Sequence, residues 1–231
     1  MRSTVLTALL VLGSLLAAES VRAAPPPVPP GLEFRQSGYF ELRKDVRRCA
    51  APLCGGYWLT RVNQVLTVCA DGKPRSRCYV PELEGAPDDL IDGLAPVLVR
   101  GSISPREYSD PAGTLRNLGI FRFLAGWRPA GPGAVSIPEA RKPHYSGVEN
   151  SGIVCISTPC QSYTEFVLNT PRQRLLADID TSLAGAPPEL EQKLIDAIAA
   201  GETVMMRGLT RQSDETMELV FEAWQLFLPV R

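Results

Sequence analysis

The chain reads as an exported α+β protein built from two tandem copies of a β-β-β-α-β-β unit. Three observations carry that expectation: an apolar leader, an even number of cysteines, and a set of motifs that recurs in order along the chain. Composition agrees with a chain that buries a core, at 45% hydrophobic and 21% charged residues in 231. The net charge of −1 gives no footprint for a nucleic-acid partner.

The N-terminus comes first. Met1-Arg2 is a short positive start, and Val5 to Ala18 is an almost unbroken apolar run. Val21-Arg22-Ala23 then offers compact residues at a signal-peptidase site. Residues 1–23 are therefore expected to be a signal peptide, cut after Ala23 or Ala24. The run is shorter than the ~20 apolar residues a membrane-spanning helix needs. No later stretch is long enough to span. Residues 24–34, rich in Pro, are expected to be an extended leader.

The repeat follows. Cys49, Cys54, Tyr57 and Asn63 recur at one constant offset as Cys155, Cys160, Tyr163 and Asn169. Leu83-Glu84-Gly85-Ala86-Pro87 matches Leu183-Ala184-Gly185-Ala186-Pro187, and Arg100-Gly101 matches Arg207-Gly208. Phe123-Leu124-Ala125-Gly126-Trp127 resembles Phe221-Glu222-Ala223-Trp224. The Pro- and Gly-rich stretch after Arg128 reads as a linker. The expected organisation is unit 1 at 35–128, linker at 129–144 and unit 2 at 145–231.

Within unit 2, strands are expected at Ile153–Ile156, Tyr163–Leu168, Gln173–Ile179, Thr203–Leu209 and Met217–Leu228. A helix is expected over Pro187–Ala200, with Leu190, Leu194, Ile195 and Ile198 on one face and Gly201 as its stop. Unit 1 repeats the order. Its strands are Tyr57–Val62, Val65–Val68, Tyr79–Leu83, Val97–Ile103 and Leu118–Trp127, with a short helix at Asp88–Leu94 and a leading strand at Tyr39–Arg43. This order matches a small five-stranded OB-like barrel. An open antiparallel sheet with one helix packed on it has the same order of elements.

Cysteines in an exported chain read as disulfides. Copy one is longer between Asn63 and Gly85 than copy two between Asn169 and Gly185, and Cys69 and Cys78 lie in that extra stretch. The simplest pairing is Cys49 with Cys54, Cys155 with Cys160, and Cys69 with Cys78. Zinc sites favour closer Cys spacing and often add His, and redox sites favour Cys-x-x-Cys.

Candidate chemistry is sparse. His144 is the only histidine, and no Gly-x-Ser-x-Gly elbow accompanies it, so it reads as a solvated loop residue. Acidic groups gather at Asp88, Asp89 and Asp92, and Asp88 and Asp89, after Pro87, read as helix-start acids. Asp178 and Asp180 share a strand face, but no calcium-loop pattern surrounds them. Trp127 with Trp224, and Tyr57 with Tyr163, read as matched core aromatics. No catalytic, cofactor or metal residues are assigned.

The segments Arg47 to Tyr57 and Cys69-Ala70-Asp71-Gly72 resemble an uncharacterised family of secreted, myxobacteria-like bacterial proteins, a domain-of-unknown-function family. The resemblance covers most of 35–128 and, less closely, 145–230. It implies export and disulfides and brings no activity. The functional expectation is a secreted, disulfide-stapled, non-enzymatic module, located in the periplasm or the medium. It would bind a protein or envelope component, with an inhibitor-like mode as one version. A carboxylate-based hydrolase and a structural envelope protein are the alternatives.

Overall fold

The computed structural model describes residues 36–91, 95–110, 113–115, 118–133, 142–157 and 159–230. The expected signal peptide and leader, Asp92, and half of the expected linker lie outside them.

The first half of the described chain contains β1 (Gln36–Lys44), β2 (Tyr57–Arg61), β3 (Thr67–Val68), β4 (Pro74–Arg75), β5 (Cys78–Val80) and β6 (Glu82–Glu84). It continues with β7 (Val97–Pro105), β8 (Tyr108–Asp110), β9 (Gly113–Leu115) and β10 (Gly119–Ala130). The second half contains β11 (His144–Asn150), β12 (Tyr163–Val167), β13 (Gln173–Leu176), β14 (Asp178–Asp180), α1 (Pro188–Ala199), β15 (Val204–Gln212) and β16 (Leu219–Pro229).

These strands correct the expected fold class. The protein is mostly β, and the expected pair of separate β-β-β-α-β-β units does not form. Twelve strands join one sheet, ten of them along the path β13-β12-β11-β15-β16-β10-β7-β1-β2-β5, with β14 and β6 off that path. The join lies between β10 and β16, where Trp127–Ala130 pair with Leu226–Pro229. Backbone groups at that seam would otherwise be buried without partners, so pairing across it is favoured. At each end the sheet bends back. β5 leads through Pro81 into β6, which pairs in parallel with β10, and β13 leads through Ala177 into β14, which pairs in parallel with β16.

Only one α-helix is present among the described residues. α1 forms because Leu190, Leu194 and Ile198 recur on one face and are buried, while Glu189 and Glu191 favour the positive N-terminus. Gly201 closes it at φ 80°, with its N–H bonded to Ile198 O and that of Glu202 to Ala197 O. The helix expected at Asp88–Leu94 is absent over 88–91, and 92–94 lie outside the described residues. Gly93 and Pro96 interrupt that stretch, which leaves too few residues to offset helix nucleation. A single turn, Leu90 N–H to Pro87 O, still delivers buried Leu90 to the core. The strand expected at Ile153–Ile156 is an exposed loop with no ladder partner. The strand β11, by contrast, occupies the end of the expected linker and the start of the expected second unit.

Two apolar clusters fill the two ends of the sheet. One contains Phe40, Leu42, Leu59, Val99, Ile103 and Phe121. The other contains Val148, Leu176, Leu194, Met206, Phe221 and Leu226. A third lies between them, built on Val62, Leu98, Leu168, Met205 and Phe227.

The Arg-Gly matches have a local cause. Each glycine faces a bulge in the next strand, Gly101 opposite Phe123 and Gly208 opposite Ala223. A Cβ at Gly101 would stand 2.2 Å from Arg122 O, and one at Gly208 would stand 2.0 Å from Glu222 O. Neither place admits a side chain. The bulges also correct the tryptophan match. Trp127 pairs with Leu98 in its ladder, whereas Trp224 is the bulged residue and Phe227 pairs with Met205. Trp127 stacks on Tyr39 and Phe227 on Tyr145, each at 5.9 Å.

Candidate functional site

Strand alternation turns Ser146 and Val148 of β11, and Glu165 and Val167 of β12, towards the interior. Glu165 is therefore a carboxylate whose side chain has no solvent exposure. Burial of an ion is costly unless its lone pairs are satisfied. Here Ser146 Oγ donates to Glu165 Oε1 at 2.7 Å, and Thr210 Oγ1 of β15 donates to Oε2 at 2.6 Å. His144 Nε2 lies 2.6 Å from Oε1, and a charged carboxylate has no proton to give, so Nε2 carries the hydrogen. Arg174 Nε of β13 forms an ion pair with Oε2 at 3.2 Å. Burial pushes the Glu165 carboxyl up, but the bonds from His144, Thr210 and Ser146 outweigh it and hold it below its ordinary value.

Above this network lies a cleft of about 730 Å³ between the two halves. Its walls are two turns and the start of β11. Asn63 and Asn169 sit at the turns, each at φ 59°, a conformation Asn tolerates better than most residues. Each clamps the opposite half. Asn63 Nδ2 donates to Tyr145 O and Leu168 O at 2.7 and 2.9 Å, and Tyr145 N–H donates back to Oδ1 at 2.8 Å. Asn169 makes the same set with Tyr39 O, Val62 O and Tyr39 N–H, at 2.7, 2.9 and 2.9 Å.

The cleft is cationic. Lys142, Arg172, Arg174 and Arg207 line it beside His144, against a single lining carboxylate, Glu41. Glu41 is already engaged, accepting from Tyr145 OH at 2.7 Å and from Arg43 Nε at 2.6 Å. Burial and that carboxylate push the Tyr145 phenol up, so it stays a donor. Arg207 stacks over Tyr145 at 5.5 Å, and its Nε is shut off from solvent with no acceptor. Positive charge is thus concentrated on one face of a chain whose net charge is −1.

A family model described as Domain of unknown function (DUF6748) matches residues 38–231. The chain belongs to that family. No curated protein and no solved structure matches it. The matched span covers every residue of the cleft and of the Glu165 network.

The other residues singled out from sequence are scattered. His144 reaches the cleft, but as a strand residue packed on Phe221 at 5.7 Å rather than on a free loop. Asp178 and Asp180 flank a different concavity, beside Glu191 and Arg211. The hydrogen bond from Ser182 and the Arg211 guanidinium hold Asp180 below its ordinary value. Asp89 pairs with Arg128 at 3.0 Å, and Asp88 is exposed. Trp224 is buried and donates to Glu222 Oε1 at 2.7 Å. Tyr57 and Tyr163 are half-buried against the two end clusters.

The six cysteines form the disulfides Cys49–Cys54, Cys69–Cys78 and Cys155–Cys160. No group of three or more His, Cys, Asp or Glu able to hold a metal occurs among the described residues. Among them, no helix is long and apolar enough to cross a membrane.

Sequence reasoning missed Glu165, Ser146, Arg174, Thr210 and Arg207. One signal was available: in Tyr163-Thr164-Glu165-Phe166-Val167, Glu165 occupies an inward position between two apolar ones.

Proposed function

We propose that the chain is an exported, disulfide-stabilised binding module whose central cleft takes an anionic ligand. The carrying observation is the cleft's charge: Lys142, Arg172, Arg174 and Arg207 surround one carboxylate, Glu41, that is already satisfied. Lys142, Arg172 and Arg207 have no carboxylate partner among the described residues, so an incoming anion displaces water and no internal ion pair. Glu165 supports the same surface from behind, fixing His144 and Arg174 in the wall. Export rests on the signal-peptide pattern at 1–23, followed by the Pro-rich 24–34, and on the disulfides.

A binding role fits the arrangement of polar groups better than acid-base chemistry. Ser146 and His144 both bond to Glu165 Oε1 and no hydrogen bond joins them, so no nucleophile–base pair is set up. Asp180 is held ionised and has no proton to lend near neutral pH.

Calorimetric titration of the mature chain with inorganic phosphate, succinate and neutral glycerol tests the reading. Phosphate or succinate should bind and glycerol should not. Arg207→Ala should weaken that binding at least about tenfold, since a charge-assisted hydrogen bond contributes roughly 1.5–3 kcal/mol. Absence of heat for both anions, or equal binding by the Ala variant, would overturn it.

A further inference from the structure

The cleft's rim is not uniformly polar. The turn that carries Asn63 continues into Val65 and Leu66, which are 90% and 50% exposed. Val65 lines the cleft itself, together with Pro143 and Pro171. This turn is firmly held. The Asn63 side chain makes three hydrogen bonds across the halves, and Gln64 Nε2 donates to Asn169 O at 2.9 Å. A fixed turn that points aliphatic side chains into solvent next to a cationic cleft combines the two features of an interfacial site: apolar groups for the acyl boundary and cations for the phosphate layer.

Resting on the anion-binding reading, we infer that the anion is the phosphate headgroup of an anionic lipid, taken while the Val65–Leu66 tip enters the membrane interface. Charge complementarity selects this occupant: Lys142, Arg172 and Arg207 face the same opening as Val65, and none has an internal carboxylate partner among the described residues. The headgroup phosphate would sit against Arg207 and Arg174, with Lys142 and Arg172 nearer the membrane surface. Two further lining residues, Pro143 and Pro171, add apolar surface without adding backbone donors.

Flotation of the full mature chain with two kinds of vesicle tests this, one of phosphatidylglycerol with phosphatidylcholine and one of phosphatidylcholine alone. Titration with soluble glycerol phosphate runs alongside. The expected result is binding to the anionic vesicles that exceeds binding to the neutral ones on the order of tenfold or more. Leu66→Ser, at a half-exposed position outside the cleft lining, should sharply weaken vesicle binding and leave glycerol phosphate binding intact. Arg207→Ala should weaken both. Glycerol phosphate binding with no preference for anionic vesicles would overturn the lipid assignment and leave a free anion as ligand. Unchanged vesicle binding by Leu66→Ser would also overturn it. Failure of both probes would remove the anion-binding reading as well.

Discussion

Leu59 and Glu165 hold the same place at opposite ends of the sheet, and they are made of opposite chemistry. Leu59 pairs with Leu42 and Cys78; Glu165 pairs with Val148 and Arg174. Both are fully buried. Around Leu59 the neighbours are Phe40, Ile103, Phe121 and the buried Cys69–Cys78 disulfide. Around Glu165 the register replaces Phe40 by Ser146, Ile103 by Thr210 and Cys78 by Arg174, and His144 stands where Gly38 stands. One end is therefore dry and stapled. The other holds an ion, and it tolerates that ion because several donors converge on two oxygens. The lesson is that the ladder sets positions, while the donors supplied around a position decide whether it accepts charge.

Three changes sharpen or break that comparison. The largest effect is expected from Leu59→Glu, which places a carboxylate in the apolar end without donors. It should cost about 4 kcal/mol in denaturant unfolding at neutral pH. The loss should shrink as pH falls towards the ordinary glutamate value, because burial favours the protonated form. A mild cost at pH 7 would mean that the two ends are interchangeable.

Next come Asn63→Gly and Asn169→Gly. Glycine keeps the φ of 59° and removes three side-chain hydrogen bonds in each case. Each should cost about 2 kcal/mol, since the loss leaves partly buried backbone groups unpaired. The two costs should agree closely; a large inequality would show that the halves depend on one another asymmetrically.

The smallest effect is a change of slope from Glu165→Gln. The Glu165 carboxyl lies below its ordinary value of 4.5 when folded, so it adds stability above that pH and loses it as pH falls through the folded value. Unfolding midpoints measured down to about pH 2 should show this loss in the parent chain and not in the variant. Asp45 belongs to the other half and is held at about 2, chiefly by its hydrogen bond from Arg47. Its contribution, lost between 3.8 and about 2, should persist in both proteins.

Much of the fold was legible at the level of single elements. The Pro187–Ala200 expectation fell on a helix at Pro188–Ala199, because its apolar face and its stop are both local. Tyr57–Val62 and Val97–Ile103 fell on strands for the same reason, their branched and aromatic residues being strand formers by themselves. His144–Asn150 was missed because Ser146, Gly147 and Glu149 carry no apolar alternation. Its place in the sheet comes from β12 and β15 on either side, not from its own residues. Ile153–Ile156 failed in the opposite way: its residues favour a strand, and no neighbour exists to pair with them.

The sequence by itself determined the elements whose causes lie within a turn or two of the chain: α1 with its glycine stop and the alternation of the long strands. Only the tertiary structure decided that β10 and β16 would join the two halves into one sheet, and that one inward glutamate would gather its donors from β11 and β15 and its ion-pair partner from β13. The physical reason is range. Helix and turn preferences are settled by neighbouring backbone groups, whereas pairing register, and the donors it brings to a buried charge, comes from strands far apart in the chain.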